Sequence, residues 1–116
     1  MSYVQEGKTM NWTNGTGVDV PAGGLVLVGS RLGVAVAGIA DGETGALAMA
    51  EVFSLPKATG AVTQGALLYW DADGDPVGGT AGSGALTTTA TDNTLAGYAF
   101  KAAGVDDPAV EIKLNG

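Results

Sequence analysis

Three groups of residues in this chain have the types and spacing to do chemistry: Gly7-Lys8-Thr9, the aspartates Asp71, Asp73 and Asp75, and a set of aromatic side chains. Gly7-Lys8-Thr9 matches the second half of a phosphate-binding loop, in which backbone amides cradle the phosphates and the lysine reaches the terminal ones. The first glycine of that motif would stand at position 2, which is Ser2, and no apolar strand precedes the segment to position it. A chain of 116 residues also lacks the repeated βαβ units of such an ATPase. Gly7 and Lys8 are therefore read as a turn between an N-terminal arm and the first strand.

Alternate carboxylates at Asp71, Asp73 and Asp75 could gather around a hard cation such as calcium. A calcium loop places its glycine sixth and a bidentate glutamate twelfth, whereas here Gly74 is fourth and Gly82 stands where the glutamate belongs. The missing ligand, with Pro76 following at once, favours an acidic hairpin turn with Asp73-Gly74 at its tip. No metal or other cofactor is expected.

Little else in the sequence serves catalysis. Histidine and cysteine are both absent, which removes serine-histidine and cysteine-histidine mechanisms, most zinc chemistry and any disulfide framework. The twelve acidic residues lie mostly in turn-forming stretches, with no sign of two carboxylates held together at separated pKa values. Glu51 is the exception, since it interrupts an apolar run. It is read as a buried acid, a partner for Lys57 or Arg31, or an edge residue that discourages aggregation. The chain is not expected to be an enzyme. A net charge of -7 with five scattered basic residues argues against nucleic acid, whose affinity comes largely from Lys and Arg. No stretch approaches the 18 or more apolar residues of a membrane span, and no basic region leads into an apolar run, so a soluble, unexported protein without a membrane partner is expected.

The elements that must position these residues are strands. Leu25 to Val28, Gly33 to Ala37, Ala46 to Leu55, Ala66 to Trp70, Leu95 to Phe100 and Ala109 to Leu114 are short runs that alternate or are wholly apolar. Val110, Ile112 and Leu114 share one face and Glu111 and Lys113 the other, the period of a half-buried strand. The run from Ala46 to Leu55 suits a strand packed on both sides, leaving through a Pro56-Lys57 turn. Asn14-Gly15, Pro21 to Gly24, Asp41-Gly42, Asp73-Gly74 and Asp92-Asn93 supply turns. Gly78 to Gly84 has nothing to bury and reads as a mobile surface loop. The best helix candidate, Ala35 to Ala40, is too short to stand alone. The pattern predicts an all-β fold: a compact, single-domain antiparallel β-barrel or β-sandwich over residues 1–116, with residues 1–12 as an extended N-terminal arm.

The aromatic set then divides by position. Phe53, Tyr98 and Phe100 lie inside strand-like runs and are expected in the core. Tyr69 and Trp70 are adjacent in one strand, so they face opposite sides and only one can enter a given core. Tyr3, Val4, Met10 and Trp12 belong to the N-terminal segment and suit an arm that pairs with a partner by strand addition or side-chain docking. Tyr3, Val4, Met10, Trp12, Tyr69 and Trp70 are thus the candidate contacts to another protein.

Four blocks carry a resemblance to a known family: YVQEGKT near the start, VFSLPKATGAVTQGALLYWD from Val52 to Asp71, TTTATDNTLAGYAF from Thr87 to Phe100, and VEIKLNG from Val110 to Gly116. Together they resemble short tailed-phage proteins of the capsid cement or decoration type, from about Tyr3 to Gly116, with Asp73 to Leu86 the poorest match. Some members also carry a label suggesting a RecA-like recombinase, which the charge and the incomplete phosphate loop oppose. The resemblance implies a structural virion protein, made in the host cytoplasm, that binds the outer surface of a phage head. There it would stabilise contacts between major capsid subunits. It also implies self-association, as trimers at local threefold points with dimers at twofold points as the alternative. A surface adhesion module binding host carbohydrate through an exposed Tyr or Trp is the rival from another class.

Overall fold

Short apolar runs punctuated by glycine turns form strands along the whole chain. The computed structural model describes residues 8–115, and among these it has no helix. The strands are β1 (Thr9–Thr13), β2 (Leu25–Val28), β3 (Arg31–Ala35), β4 (Thr44–Ala48), β5 (Val52–Pro56), β6 (Leu67–Asp71), β7 (Ala85–Thr87), β8 (Thr94–Ala99) and β9 (Ala109–Leu114). They build two antiparallel sheets, ordered β1-β4-β3-β2 and β5-β9-β8-β6-β7. The main core lies between the sheets, where Leu32, Val34 and Ala48 meet Leu68, Ile112 and Leu114. Each of the buried Leu, Ile and Val side chains contributes about 1.5–3 kcal/mol relative to exposure. The other face of the first sheet holds a smaller cluster, with Val26, Ala35, Leu47 and Met49 beneath Ile39 and Val20. Of the expected arm, the segment from Thr9 is strand β1, paired with β4 from Thr9↔Ala48 to Thr13↔Thr44.

The run expected as one strand from Ala46 to Leu55 is two strands in different sheets. β4 ends at Ala48, β5 begins at Val52, and between them Glu51 takes a positive φ of 83°. Apolar residues fill the run on both sides of the break, so periodicity could not mark it. Asn115 fastens this crossover: its Nδ2 donates to the carbonyls of Met49 at 2.7 Å and Leu32 at 3.0 Å. The Asn115 N–H donates to the Ala96 carbonyl at 2.7 Å, and the Leu114 N–H to that of Glu51 at 3.0 Å. Glu51 is therefore an exposed bend residue whose backbone carries the structure, rather than an acid interrupting a strand face.

A second irregularity decides which way the aromatics point. β6 pairs with β8 as Leu67↔Tyr98 and Leu68↔Gly97 but then as Tyr69↔Leu95, which leaves Ala96 as an extra residue. Such a bulge inverts the alternation of the strand. Ala96 and Ala99 both enter the core, while Leu95 and Tyr98, the partners of Tyr69 and Leu67, share the opposite face. Gly97 permits this, because its φ is 154° and a Cβ there would run into the Lys113 carbonyl. The bulge corrects two expectations. Tyr98 faces outward, and Phe100 is 51% exposed; Phe53 does pack against the core.

The second sheet is linked across its ends just beyond β5. Lys57 forms a parallel bridge with Leu86, and the Ala58 N–H donates to the Leu86 carbonyl at 2.9 Å. Pro56-Lys57 thus continues strand pairing where a turn was expected. Lys57 is fully buried. Its ammonium donates to the carbonyls of Ala58 and Val105, each at 3.0 Å, so backbone dipoles satisfy it in place of a carboxylate.

Candidate functional site

The three chemical groups are placed as follows. Gly7 lies outside the described residues, and Thr9 opens strand β1, where a phosphate loop would require a helix start. In the acidic segment, Asp71 Oδ1 accepts from the Asp73 N–H at 3.2 Å and Asp75 Oδ1 from the Gly82 N–H at 2.7 Å. These carboxylates fasten the connection between β6 and β7. No group of three or more His, Cys, Asp or Glu side chains suited to a metal occurs among the described residues. The glycine-rich segment 78–84 is tied in by the same bond, by Gly79 N–H to Pro76 O and by Gly84 N–H to Gly74 O, and Gly84 is buried. Among the described residues no helix is long and apolar enough to cross a membrane.

Tyr69 and Trp70 do separate across β6. Trp70 packs against the main core, opposite Leu86. Its indole lies over Gly84, where a Cβ would come within 2.7 Å of Cη2. Tyr69 takes the outer face with Leu67, opposite Leu95. Trp12 is half-buried against the smaller cluster, and Met10, on the same side of β1, is 39% exposed. Tyr3 and Val4 lie outside the described residues.

Residues that sequence reasoning did not take as contacts complete the outer face of the second sheet. Val52, Lys113, Tyr98 and Leu67 stand in one row across four neighbouring strands, since directly opposed residues share a face. Leu95 and Tyr69 lie beside that row on one side, and Phe100 on the other, its N–H donating to the Glu111 carbonyl. Leu67 is 55% and Leu95 40% exposed. Leu67, Leu95 and Tyr98 line a shallow apolar cleft with Arg31 and Asn115. Behind it the Asn115 Oδ1 is buried without a hydrogen-bond donor among the described residues. One signal was available in the sequence: Leu67-Leu68 puts a leucine on each side of a single strand. Leu95, Tyr98 and Phe100 were hidden by the bulge. A second, more open groove lies between the sheets, bordered by Val36, Glu51 and Phe53.

This arrangement has the character of a binding surface. It presents a band of aliphatic and aromatic side chains, and among the described residues no nucleophile and general base are in hydrogen-bond contact there. Comparison with known proteins gives a family. The family described as phage cement protein matches residues 4–114, and no curated protein and no solved structure matches. The chain belongs to this family, the structural cement proteins of the phage virion.

Proposed function

Taking this membership as premise, we propose that the protein binds the outer surface of a phage head and bridges junctions between major capsid subunits through the outer face of its second sheet. The observation that carries the reading is the apolar band in which Leu67, Leu95 and Phe100 are exposed among the described residues, with half-buried Tyr69 and Tyr98 between them, on a chain that already possesses a separate core. Contiguous exposed apolar area of this kind marks an interaction surface. Many identical copies, each burying modest area across a boundary, make separation of the capsid subunits require breaking all of these contacts together. A net charge of -7 suits a position outside the shell, away from the genome, and no nucleic-acid partner is proposed.

Tyr3, Val4 and Met10 are proposed as a further contact to a neighbouring subunit. β1 is an edge strand of its sheet and can accept an added strand. Self-association is proposed as a trimer, with a dimer as the alternative. The test is co-sedimentation of the purified protein with expanded heads that lack it. Saturable binding at micromolar concentration is expected. Absence of binding there refutes the cement reading.

A further inference from the structure

The cations of this acidic protein are unevenly placed. Of its five basic residues, Lys57 is buried on backbone carbonyls. Arg31 borders the cleft of Leu67, Leu95 and Tyr98. Lys113 stands beside Tyr98 in the same face, its ammonium turned toward the Leu114 carbonyl at 3.5 Å. Lys101 directly follows Phe100 and is exposed. The apolar band therefore carries a cationic border at the cleft. Glu111 lies at one end of the band, its carbonyl taking the Phe100 N–H, and Asp71 at the opposite end, two residues beyond Tyr69; neither lines the cleft.

We propose that this cleft receives an acidic, aliphatic loop of the capsid protein: one apolar side chain seated on Leu67, Leu95 and Tyr98, with flanking carboxylates against Arg31 and Lys113. The inference rests on the cement reading and names the chemistry of its partner. Charge complementarity decides the occupant. In a twofold contact a second copy of this chain brings the same cations, so like charges would meet there, whereas a ring of three copies pairs this face with a different one and is distinguished by the self-association readout below. A nucleic acid would offer phosphates to these two cations, but the net charge of -7 repels it. A carboxylate-flanked aliphatic segment satisfies both parts of the surface. Such rim charges act mainly on association rate and salt dependence, while the central apolar contact governs dissociation.

Three forms of the full chain separate the possibilities by co-sedimentation with heads lacking the protein, at low and at high salt. Leu67→Ser with Leu95→Ser changes two exposed positions and should weaken binding about thirtyfold. Arg31→Glu with Lys113→Glu should weaken it about tenfold at low salt and flatten its salt dependence. Val18→Ser, at an exposed position in the loop after β1, should bind as the parent does. Thermal melting of all three checks that each is folded.

If the parent binds and both double variants bind equally well, the cleft proposal is overturned while the cement reading stands. If the parent itself fails to bind, the cement reading falls and the cleft proposal with it. If the leucine variant binds heads normally but light scattering shows that it has lost self-association, the cleft is a contact between copies and the proposal is overturned. A weakened arginine-lysine variant that keeps the parent's salt dependence also overturns the acidic partner.

Discussion

The indole of Trp70 rests on the backbone of Gly84, the residue just before β7, and so seals the end of the long β6–β7 connection against the core. At Gly84 the φ of 106° and the closeness of the ring both demand glycine. Gly84→Ala is expected to destabilise the fold by about 2–4 kcal/mol, combining backbone strain with overpacking. Chemical denaturation measures it. Combining Gly84→Ala with Trp70→Phe should cost less than the sum of the two single changes, because the smaller ring relieves the clash. Strict additivity would show that the ring and the glycine are independent.

Lys57 should behave as a structural residue. Lys57→Ala removes both hydrogen bonds to Ala58 and Val105 and leaves a cavity, for an expected loss of about 3–5 kcal/mol. Lys57→Met keeps most of the volume and removes the charge, so its loss should be smaller by about 1–2 kcal/mol. Urea midpoints of the two variants decide the order.

Glu51 offers a route to a more stable protein. Its φ of 83° is one that side chains with a Cβ resist, and the exposed side chain is not needed by the bend. Glu51→Gly should raise stability by about 1 kcal/mol, and Glu51→Val should lower it by at least as much. A fall in melting temperature for the glycine variant would mean that the carboxylate has a partner that matters.

Trp12 and Tyr69 should separate folding from binding. Trp12→Ala strips cover from the smaller cluster and should cost about 2–4 kcal/mol while leaving the second sheet's outer face intact. Tyr69→Ser, on that outer face, should cost under about 1 kcal/mol yet weaken attachment to heads. Denaturation and co-sedimentation on the same preparations provide both readings.

Calcium should leave stability unchanged. Asp71 and Asp75 each accept a backbone N–H within their own connection, and no group of three or more side chains suited to a metal comes together among the described residues. The melting temperature is expected to be the same in millimolar calcium and in chelator; a rise of several degrees with calcium would reveal a site.

Most strands were legible because aliphatic runs bounded by glycine turns have few other ways to fold. Residues 25–28 and 109–114 were found with their bounds, and the alternation of Val110, Ile112 and Leu114 gave their buried face correctly. The opposed orientations of Tyr69 and Trp70 followed from strand geometry, although the direction of each ring required β7 and Gly84. Two features escaped because each depends on a single backbone choice within an apolar stretch. At Glu51 a positive φ breaks what reads as one strand, and at Ala96-Gly97 one added residue reverses the alternation for Tyr98 and Phe100. Since the apolar band depends on that reversal, the candidate surface was less legible than the fold.

The two ends of the described chain converge on one residue. Met49 gives its N–H to the Lys8 carbonyl at 2.7 Å and receives the Asn115 amide on its own carbonyl at 2.7 Å. Residues 8 and 115 are therefore near neighbours in space, and the start of β1 and the end of β9 are held to the same crossover. A peptide inserted in the exposed stretch 78–82, between β6 and β7, would keep every strand pairing of both sheets. Any fused cargo would sit on that loop, away from the Met49 junction.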